Sequence, residues 1–403
     1  MPHRAPDGVT FRQPTLPIML AGSASFLQLY STQPLLPLLA RTFHASAFGV
    51  GLTITAPTIA VAIFAPFIGR LADTIGLRRV IVGSAFLLAV AAGLAATSTS
   101  LAQLIAWRFI QGVTTPGIFA GTVAYIHEEW PPDRVGRAMA AYMTGTILGG
   151  FTGRALAGVV AADSNWHMSF VVLGFLNLLV ATALFFRLPV ERAARRTHRA
   201  AGSAREHLRN RQLLTTYAIG FCVLFTQVAL FTYVTFYLAA PPFGLSTTAL
   251  GWLFVVYLIG AMVTPFGGGW IDRYGPRAGL ASAMAIGASG ALLTLVRSLP
   301  AVAAGLALAS TGVFIAQAAT SSYIGVVTKR DRGLAVGLYS TFYYIGGSVG
   351  GAAPAALWNL GGWPACVALI VAVQTTGVLI ATFFWTRPRP TAPAAEQVDS
   401  AVG

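Results

Sequence analysis

The chain has 403 residues, of which 56% are hydrophobic and 9% charged, and its net charge is +14. This composition excludes a soluble globular protein, because apolar windows of about 20 residues are long enough to cross a bilayer core of about 30 Å. The positive charge does not indicate a nucleic-acid partner, because the basic residues are concentrated in alternate loops between the apolar windows.

Twelve apolar windows predict twelve transmembrane helices, and therefore an all-α membrane protein. The first of them is expected to serve as an uncleaved insertion signal, because the polar segment before it lacks the features of a cleavable signal peptide. In chain order, the predicted helices run over 16–39, 48–70, 79–97, 101–127, 136–161, 167–187, 213–239, 247–270, 279–297, 300–327, 333–358 and 363–385.

The basic residues indicate how these helices are oriented. Arg41 and Arg297 fall in one set of loops, and Arg108 and Arg154 fall inside predicted helices. The other 22 of the 26 Lys and Arg residues lie in the opposite loops and at both termini. The positive-inside rule therefore places both termini in the cytoplasm. Abundant alanine, and arginine in preference to lysine, indicate a GC-rich bacterial genome and hence a multi-pass protein of the inner membrane.

Two motifs recur in the same order, at offsets of 199 and 197 residues. The first is Gly-x-x-x-Asp-x-x-Gly-x-Arg, with Asp73, Gly76 and Arg78 in one copy and Asp272, Gly275 and Arg277 in the other. The second is a glycine run that contains Gly149 and Gly153 in one copy and Gly346 and Gly350 in the other, and Gly145 lies one turn before the first copy. The chain is therefore predicted to form two pseudo-symmetric six-helix bundles over 1–187 and 213–386, with a cytoplasmic basic linker over 188–212 and a cytoplasmic polar tail over 387–403.

Two parallel repeats of six helices, each with this aspartate motif between its second and third helices, resemble the major facilitator superfamily. Within it, Arg108, Gln111 and Gly112 are similar to the Arg-x-x-Gln-Gly pattern of bacterial drug:proton antiporters of the DHA1 type. The segment 30–37 and the Gly153-Arg154 pair resemble the YnfM-like inner-membrane exporters. The resemblance implies alternating access between the two bundles, with the aspartate motifs acting as gates on the cytoplasmic side.

The resemblance also implies that the first and fourth helices of each bundle line a central cavity. Polar or aromatic side chains at helical spacing on these helices, and two tyrosines of helix 11, are the candidate substrate-binding residues. They are Gln28, Thr32, Arg108, Gln111, Thr115, Gln227, Phe231, Gln317, Tyr339 and Tyr343. The alternative interpretation is that these amides and rings only hydrogen-bond or pack between helices.

Arg108 and Arg154 lie within predicted helices, where an arginine costs about 2.5–3.5 kcal/mol on insertion scales. A substrate contact is therefore expected for Arg108, with bonding to backbone carbonyls as the alternative. Arg154 is the remaining substrate-binding candidate, and snorkelling to the outer interface is its alternative. The glycines Gly145, Gly149 and Gly153, with Gly346 and Gly350, are expected to form seams where helices approach closely.

All 12 acidic residues fall in loops, termini or helix ends. Protons are consequently a weak candidate for the coupling ion, because a membrane-embedded carboxylate commonly carries them. The Gly346-x-Ser348-x-Gly350 run does not indicate a hydrolase, because it lies within a predicted helix and lacks histidine and acid partners. The scattered histidines and cysteines indicate no metal, no cofactor and no enzyme.

The sequence therefore predicts a monomeric secondary transporter whose partners are a small-molecule substrate and the lipid bilayer. Export of small amphipathic or polar compounds is the favoured function. Uptake of a small organic anion is the main alternative, and a membrane receptor that moves no ligand is the second.

Overall fold

The computed structural model describes residues 15–191, 204–328 and 332–385, and nearly all of them are helical. The predicted polar tail over 387–403 and the part of the predicted linker over 192–203 lie outside the described residues. The helices of the first half are α1 (Thr15–Leu29), α2 (Leu36–Thr42), α3 (Ala47–Phe64), α4 (Ile68–Ile75), α5 (Leu77–Ala95), α6 (Leu101–Glu129), α7 (Val135–Asp163) and α8 (Trp166–Arg187). Short 3₁₀ turns over Gln33–Leu35 and Ala65–Phe67 connect α1 to α2 and α3 to α4.

The short helix α9 (Ala204–Arg209) precedes the second half. That half contains α10 (Arg211–Ala239), α11 (Thr247–Leu253), α12 (Val256–Tyr274), α13 (Pro276–Leu293), α14 (Leu299–Val327), α15 (Arg332–Ala352) and α16 (Pro354–Phe384). Seven spans in the described part are long and apolar enough to cross a membrane, and a pair bent by 44° between 247 and 274 makes up to eight. The expected all-α membrane protein is confirmed, and the count of twelve spans stays a prediction.

Several predicted helices are interrupted in the structure, among them the second at Ala65–Phe67 and the eleventh at Ala353, and two further breaks lie near the central region. The first, expected over 16–39, ends as α1 at Leu29 and resumes as a 3₁₀ turn at Gln33, because Pro34 and Pro37 have no N–H to continue the α-helical ladder. The eighth, expected over 247–270, is divided between α11 and α12 at Phe254 and Val255. Both breaks place backbone and side chains of the central region outside regular helix.

The two halves repeat the same internal packing. In the first half α1 packs on α7 and α5 on α6, and in the second half α10 packs on α15 and α13 on α14. Gly145, Gly149 and Gly153 of α7 lie against the backbone of α1, and Gly346 and Gly350 of α15 lie against the backbone of α10. A side chain at any of these glycines would collide with main-chain atoms, so glycine is what allows each pair of helices to approach.

The halves contact each other through α3 with α15 and through α7 with α11. A Cβ atom added at Gly51 would lie 2.6 Å from the carbonyl oxygen of Gly351, and one at Gly158 would lie 2.6 Å from that of Thr247. The hydroxyl of Thr55 also donates to the carbonyl of Ser348 at 2.8 Å. We name this end of the molecule, where α3 and α11 begin and α7 and α15 end, the closed end.

The opposite end, which carries both aspartate motifs, is named the open end. A Cβ atom added at Gly69, Gly268 or Gly269 would meet no atom within 4 Å. Trp270 and Tyr274 at the end of α12 are about half exposed. In the described part of the chain, these residues of both halves therefore have open space beside them, while the turn over Ala65–Phe67 contacts α15.

The glycine seam of the first half generates a prediction about stability. Gly149→Val should lower the free energy of unfolding by about 1–3 kcal/mol, because the added side chain meets the main chain of Ser23 and the helices must separate. Thermal unfolding in detergent measures the effect. Gly83→Val is the matched control, because the same change on α5 points into open space. Equal losses in both variants would contradict close packing at the seam.

Candidate functional site

Arg108 of α6 is fully buried and is surrounded by oxygen atoms of its own half. Its Nε donates to the carbonyl of Thr53 at 3.1 Å, Nη1 to the carbonyl of Gln28 at 2.7 Å, and Nη2 to the carbonyl of Leu29 at 2.5 Å. Nη1 also donates to the side-chain oxygen of Gln111. The planar guanidinium group of Arg108 thus holds the end of α1 to α3 and α6.

The break in α1 explains this arrangement. Gln28 and Leu29 stand in the last turn of α1, where carbonyl groups have no N–H four residues later to accept from. The Arg108 guanidinium donates to the Leu29 carbonyl and adds a further bond to the Gln28 carbonyl, which also accepts from the N–H and the hydroxyl of Ser31. In this conformation its bonds go to protein groups, so the expected substrate contact of Arg108 stays a prediction.

The other predicted residues of the first half gather around Arg108. The hydroxyl of Thr115 donates to the carbonyl of Gln111 at 2.7 Å, and the hydroxyl of Thr53 donates to that of Thr32 at 3.3 Å. Both polar atoms of the Gln28 amide are buried and have no hydrogen-bond partner among the described residues. Leaving a buried polar group unpaired costs about 1–3 kcal/mol, so this amide is a place where a ligand or water would bind.

Arg154 of α7 has a different environment, made by both halves. Its Nε donates to the Gln33 side-chain oxygen at 2.7 Å, and its Nη1 donates to the Gly150 carbonyl at 2.6 Å. The guanidinium carbon lies 5.0 Å from the ring centre of Tyr30, 4.8 Å from that of Phe254 and 4.9 Å from that of Tyr257. We name Tyr30, Phe254 and Tyr257 the Arg154 cage.

Sequence reasoning singled out Arg154 but assigned no role to the cage or to Gln33. Tyr30 and Gln33 belong to the segment that carries the family resemblance, so their position was a usable signal. Phe254 and Tyr257 gave no comparable signal, because they come to Arg154 only through the break between α11 and α12. Arg154 is 5% exposed and does not snorkel to an outer interface.

The predicted residues of the second half adjoin this cage. The ring of Phe231 lies 4.4 Å from that of Tyr257 and 5.8 Å from that of Phe254, and Gln227 interacts with the Tyr257 side chain. The hydroxyl of Tyr343 donates to the side-chain oxygen of Gln317 at 3.3 Å, and the rings of Tyr339 and Tyr343 are 5.7 Å apart.

The Tyr343 side chain lies in the neighbourhood of Tyr30 and Tyr257, so the two groups of residues adjoin each other. We name the set the central polar cluster. It consists of Tyr30, Gln33, Arg154, Gln227, Tyr257, Gln317, Tyr339 and Tyr343. Among the described members of this cluster Arg154 carries the only formal charge, and the chemistry offered is hydrogen bonding, ring stacking and one cation.

An apolar cavity of about 350 Å³, open to the outside of the molecule, lies between the two halves. It is bounded by α7 and α12 and is lined by Thr144, Ile147, Leu148, Leu258, Ala261 and Met262. On α7, Ile147 precedes Arg154 by seven residues, or about two helical turns, so the two side chains are on the same face. The cavity therefore continues the face of α7 that carries Arg154.

The predicted gate residues of the first half bind within that half. Gly76 has φ 93° at the turn between α4 and α5, and Gly275 has φ 85° at the equivalent turn between α12 and α13. The Arg78 side chain donates to the carbonyls of Leu188 and Phe185 at the end of α8. These bonds tie α5 to α8 and reach no residue of the second half.

Glu191, which lies outside the aspartate motif, binds the N-terminal end of α5. One Glu191 oxygen accepts from the backbone N–H of Leu77 at 2.7 Å and caps the positive end of the helix. In the described part of the chain, Asp73 and Asp272 make no hydrogen bond or ion pair, and no such bond joins Arg277 to the first half. The gating role of these residues stays a prediction for the conformation in which the open ends meet.

Two repeated helical bundles around a polar centre define a class of membrane transport protein, and comparison with known proteins identifies it. The model of the Major Facilitator Superfamily matches residues 18–241 and 236–401. The chain belongs to this superfamily, and the expected resemblance is confirmed.

Its curated relatives are transporters whose lengths it nearly spans. It is 33% identical to the uncharacterised MFS-type transporter YybF of Bacillus subtilis over 365 residues, covering 89% of this chain and 90% of YybF. It is 31% identical to the inner membrane transport protein YnfM of Escherichia coli over 376 residues, covering 92% and 90%.

Solved structures of low sequence identity share the fold. A bacterial homologue of the human lysosomal transporter Spinster, inward-facing and unoccupied, superposes with a TM-score of 0.75 at 16% identity, covering 95% of this chain and 100% of that one. The human organic anion transporter MFSD10 superposes with a TM-score of 0.71 at 20% identity, covering 93% and 100%.

The contacts of Arg108 generate a prediction that separates a structural from a binding role. Arg108→Lys should lower the melting temperature almost as much as Arg108→Ala, because one ammonium cannot reach carbonyls on Gln28, Leu29 and Thr53 together. The loss should be several kcal/mol, at about 1–3 kcal/mol for each unpaired carbonyl.

Thermal unfolding of the purified protein measures this loss. Arg134→Lys is the matched control, because Arg134 is exposed beside Asp133 and should tolerate the change. Parental stability in Arg108→Lys together with lost ligand affinity would contradict the structural role and support substrate contact.

Proposed function

We propose that this major facilitator exports small amphipathic or polar compounds, neutral or anionic, across the bacterial inner membrane by alternating access. The observation that carries the proposal is the central polar cluster, which is built by both halves and has Arg154 as its charged group. Aromatic rings, glutamine amides and one cation suit a compound with an apolar body and a polar or anionic head.

The positions of the carboxylates support this substrate class. Each described Asp or Glu lies in a loop, in α9 or in the last turn of a helix. A transported cation would meet Arg154 and no buried carboxylate, so charge repulsion would oppose its binding. The apolar cavity between α7 and α12 offers room for the apolar part of an amphipathic compound.

The conformation and the charge distribution support the direction of access. The halves pack closely at the closed end, whereas Gly69, Gly268 and Gly269 at the open end, which carries the basic loops, have open space beside them. If the positive-inside rule holds, the open end faces the cytoplasm, where an exporter loads its substrate. Both termini would then be cytoplasmic. The proposal also takes the protein to act as a monomer.

Uptake of a small organic anion is the second candidate. The observation that favours it is the buried Arg154, whose charge has no carboxylate partner among the described residues. Both candidates use the same cluster and differ in direction. Transport assays in membrane vesicles of opposite orientation therefore distinguish export from uptake.

A matched substrate series tests the proposed function. Three probes would share one aromatic body and carry a carboxylate, a hydroxyl or an ammonium group. In liposomes with purified protein, the carboxylate and hydroxyl probes should be transported at least about tenfold faster than the ammonium probe, which corresponds to about 1.4 kcal/mol. Export predicts accumulation in inside-out membrane vesicles, and uptake predicts accumulation in right-side-out vesicles. Preferred transport of the ammonium probe would contradict the proposal.

A substitution in the cluster tests whether these residues recognise the substrate. Tyr343→Phe removes the hydroxyl that binds Gln317, so KM should rise by about tenfold, which is about 1.4 kcal/mol for one lost polar contact, while the fold is kept. Initial transport rates over a range of probe concentrations measure KM. Tyr274→Phe is the matched control, because Tyr274 is half exposed at the open end. Equal KM values in both variants and the parent would exclude Tyr343 from recognition.

Proton coupling is expected to lack an obligatory membrane-embedded carboxylate. Glu128→Gln, Glu129→Gln and Asp163→Asn should each keep most of the flux, because these groups stand at helix ends. Flux with and without an imposed pH gradient measures the effect. If one of these changes abolishes gradient-driven flux while probe binding persists, that residue carries the coupling proton.

A further inference from the structure

Arg154 connects the two halves at the closed end, whereas Arg108 is satisfied within one half. Around Arg154, Tyr30 and Gln33 come from the first half, and Phe254 and Tyr257 come from the second. Gln33 extends the connection, because its side-chain nitrogen donates to the hydroxyl of Thr232 on α10 at 3.3 Å. The cage is thus assembled only while α7 and the α11–α12 break are together.

The cage replaces the counter-ion that a buried cation would ordinarily need. Among the described residues the nearest partners of Arg154 are one amide oxygen, one carbonyl and three ring faces, and its side chain forms no salt bridge with a carboxylate. Ring faces attract a guanidinium most strongly when water is excluded from it. Separating the halves would remove Phe254 and Tyr257, and the cation would have to be hydrated instead.

The contacts around the cage show that it lies where α7 and α11 meet at the closed end. Gly251 of α11 lies against the carbonyls of Arg154 and Ala155, and Gly158 lies against Gly251 in return. Phe151, one turn before Arg154 on α7, also packs on Trp252, with ring centres 5.8 Å apart. No larger side chain stands between the two backbones here, so a small separation of α7 and α11 breaks the cage.

We propose that Arg154 and its cage form a cation–π latch that holds the closed end shut and opens when the transporter changes state. The latch rests on the alternating access of the proposed function, but not on the substrate or on the direction of transport. It gives Arg154 a role in setting the ratio of the two states, in addition to the substrate contact of the proposed function.

The test measures the distance between the halves at the closed end without substrate. Spin labels at Ser164→Cys and Arg297→Cys report it, because both residues are exposed and stand in loops of different halves. Cys222 and Cys366, which are buried, are replaced by alanine. Arg154→Gln should raise the ratio of long to short distances about tenfold, and Tyr257→Leu should do the same from the other half. Tyr30→Phe is the matched control and should leave the ratio unchanged, because it keeps the ring.

Each outcome decides the proposal. A parental distance distribution in folded Arg154→Gln and Tyr257→Leu overturns the latch. A shift in Tyr30→Phe as large as that in Arg154→Gln also overturns it, because the hydroxyl would then be responsible and not the ring face. If Arg154→Gln does not fold, Tyr257→Leu decides alone. A wrong substrate class would alter the transport assays above and leave these distances unaffected, so the two proposals fail separately.

Discussion

A guanidinium buried among apolar helices must be surrounded by oxygen atoms or ring faces, and the centre of this molecule is organised by that requirement. Arg108 and Arg154 both approach the break at the end of α1. Arg108 binds the Gln28 and Leu29 carbonyls at this break, and Arg154 binds Gln33 just beyond it. An arginine at mid-membrane costs about 2.5–3.5 kcal/mol on insertion scales, and a hydrogen bond to a charged group returns about 1.5–3 kcal/mol. Three carbonyls therefore suffice to offset the cost for Arg108.

The two arginines differ in what they connect. The partners of Arg108 belong to α1, α3 and α6, so its bonds can persist while the halves move. The partners of Arg154 belong to both halves, so its environment changes with the state of the protein. One arginine thus stabilises a rigid body, and the other lies at the surface where two rigid bodies meet.

The glycine seams also distinguish packing within each half from packing between the halves. Within each half, glycines bring α7 against α1 and α15 against α10 at main-chain distance, which makes each half a closely packed unit. Between the halves, close main-chain contacts occur at the closed end, and the glycines of the aspartate motifs have open space beside them. A polar centre between two such units is what alternating access in this superfamily requires, because the site is then reached from one side at a time.

The sequence by itself determined the membrane class, the duplication and the superfamily. These properties depend on local features, namely apolar runs, basic loops and a motif repeated 199 residues apart, and none of them requires knowledge of how the helices are rotated. The sequence also singled out Arg108 and Arg154, because charge inside an apolar run is conspicuous.

Only the tertiary structure decided the surroundings of these two arginines. The break in α1 turns carbonyls toward Arg108, and the break between α11 and α12 brings Phe254 and Tyr257 to Arg154 from more than 90 residues away in the chain. Such contacts are set by helix rotation and by the approach of the two halves, which residue spacing along one helix does not encode.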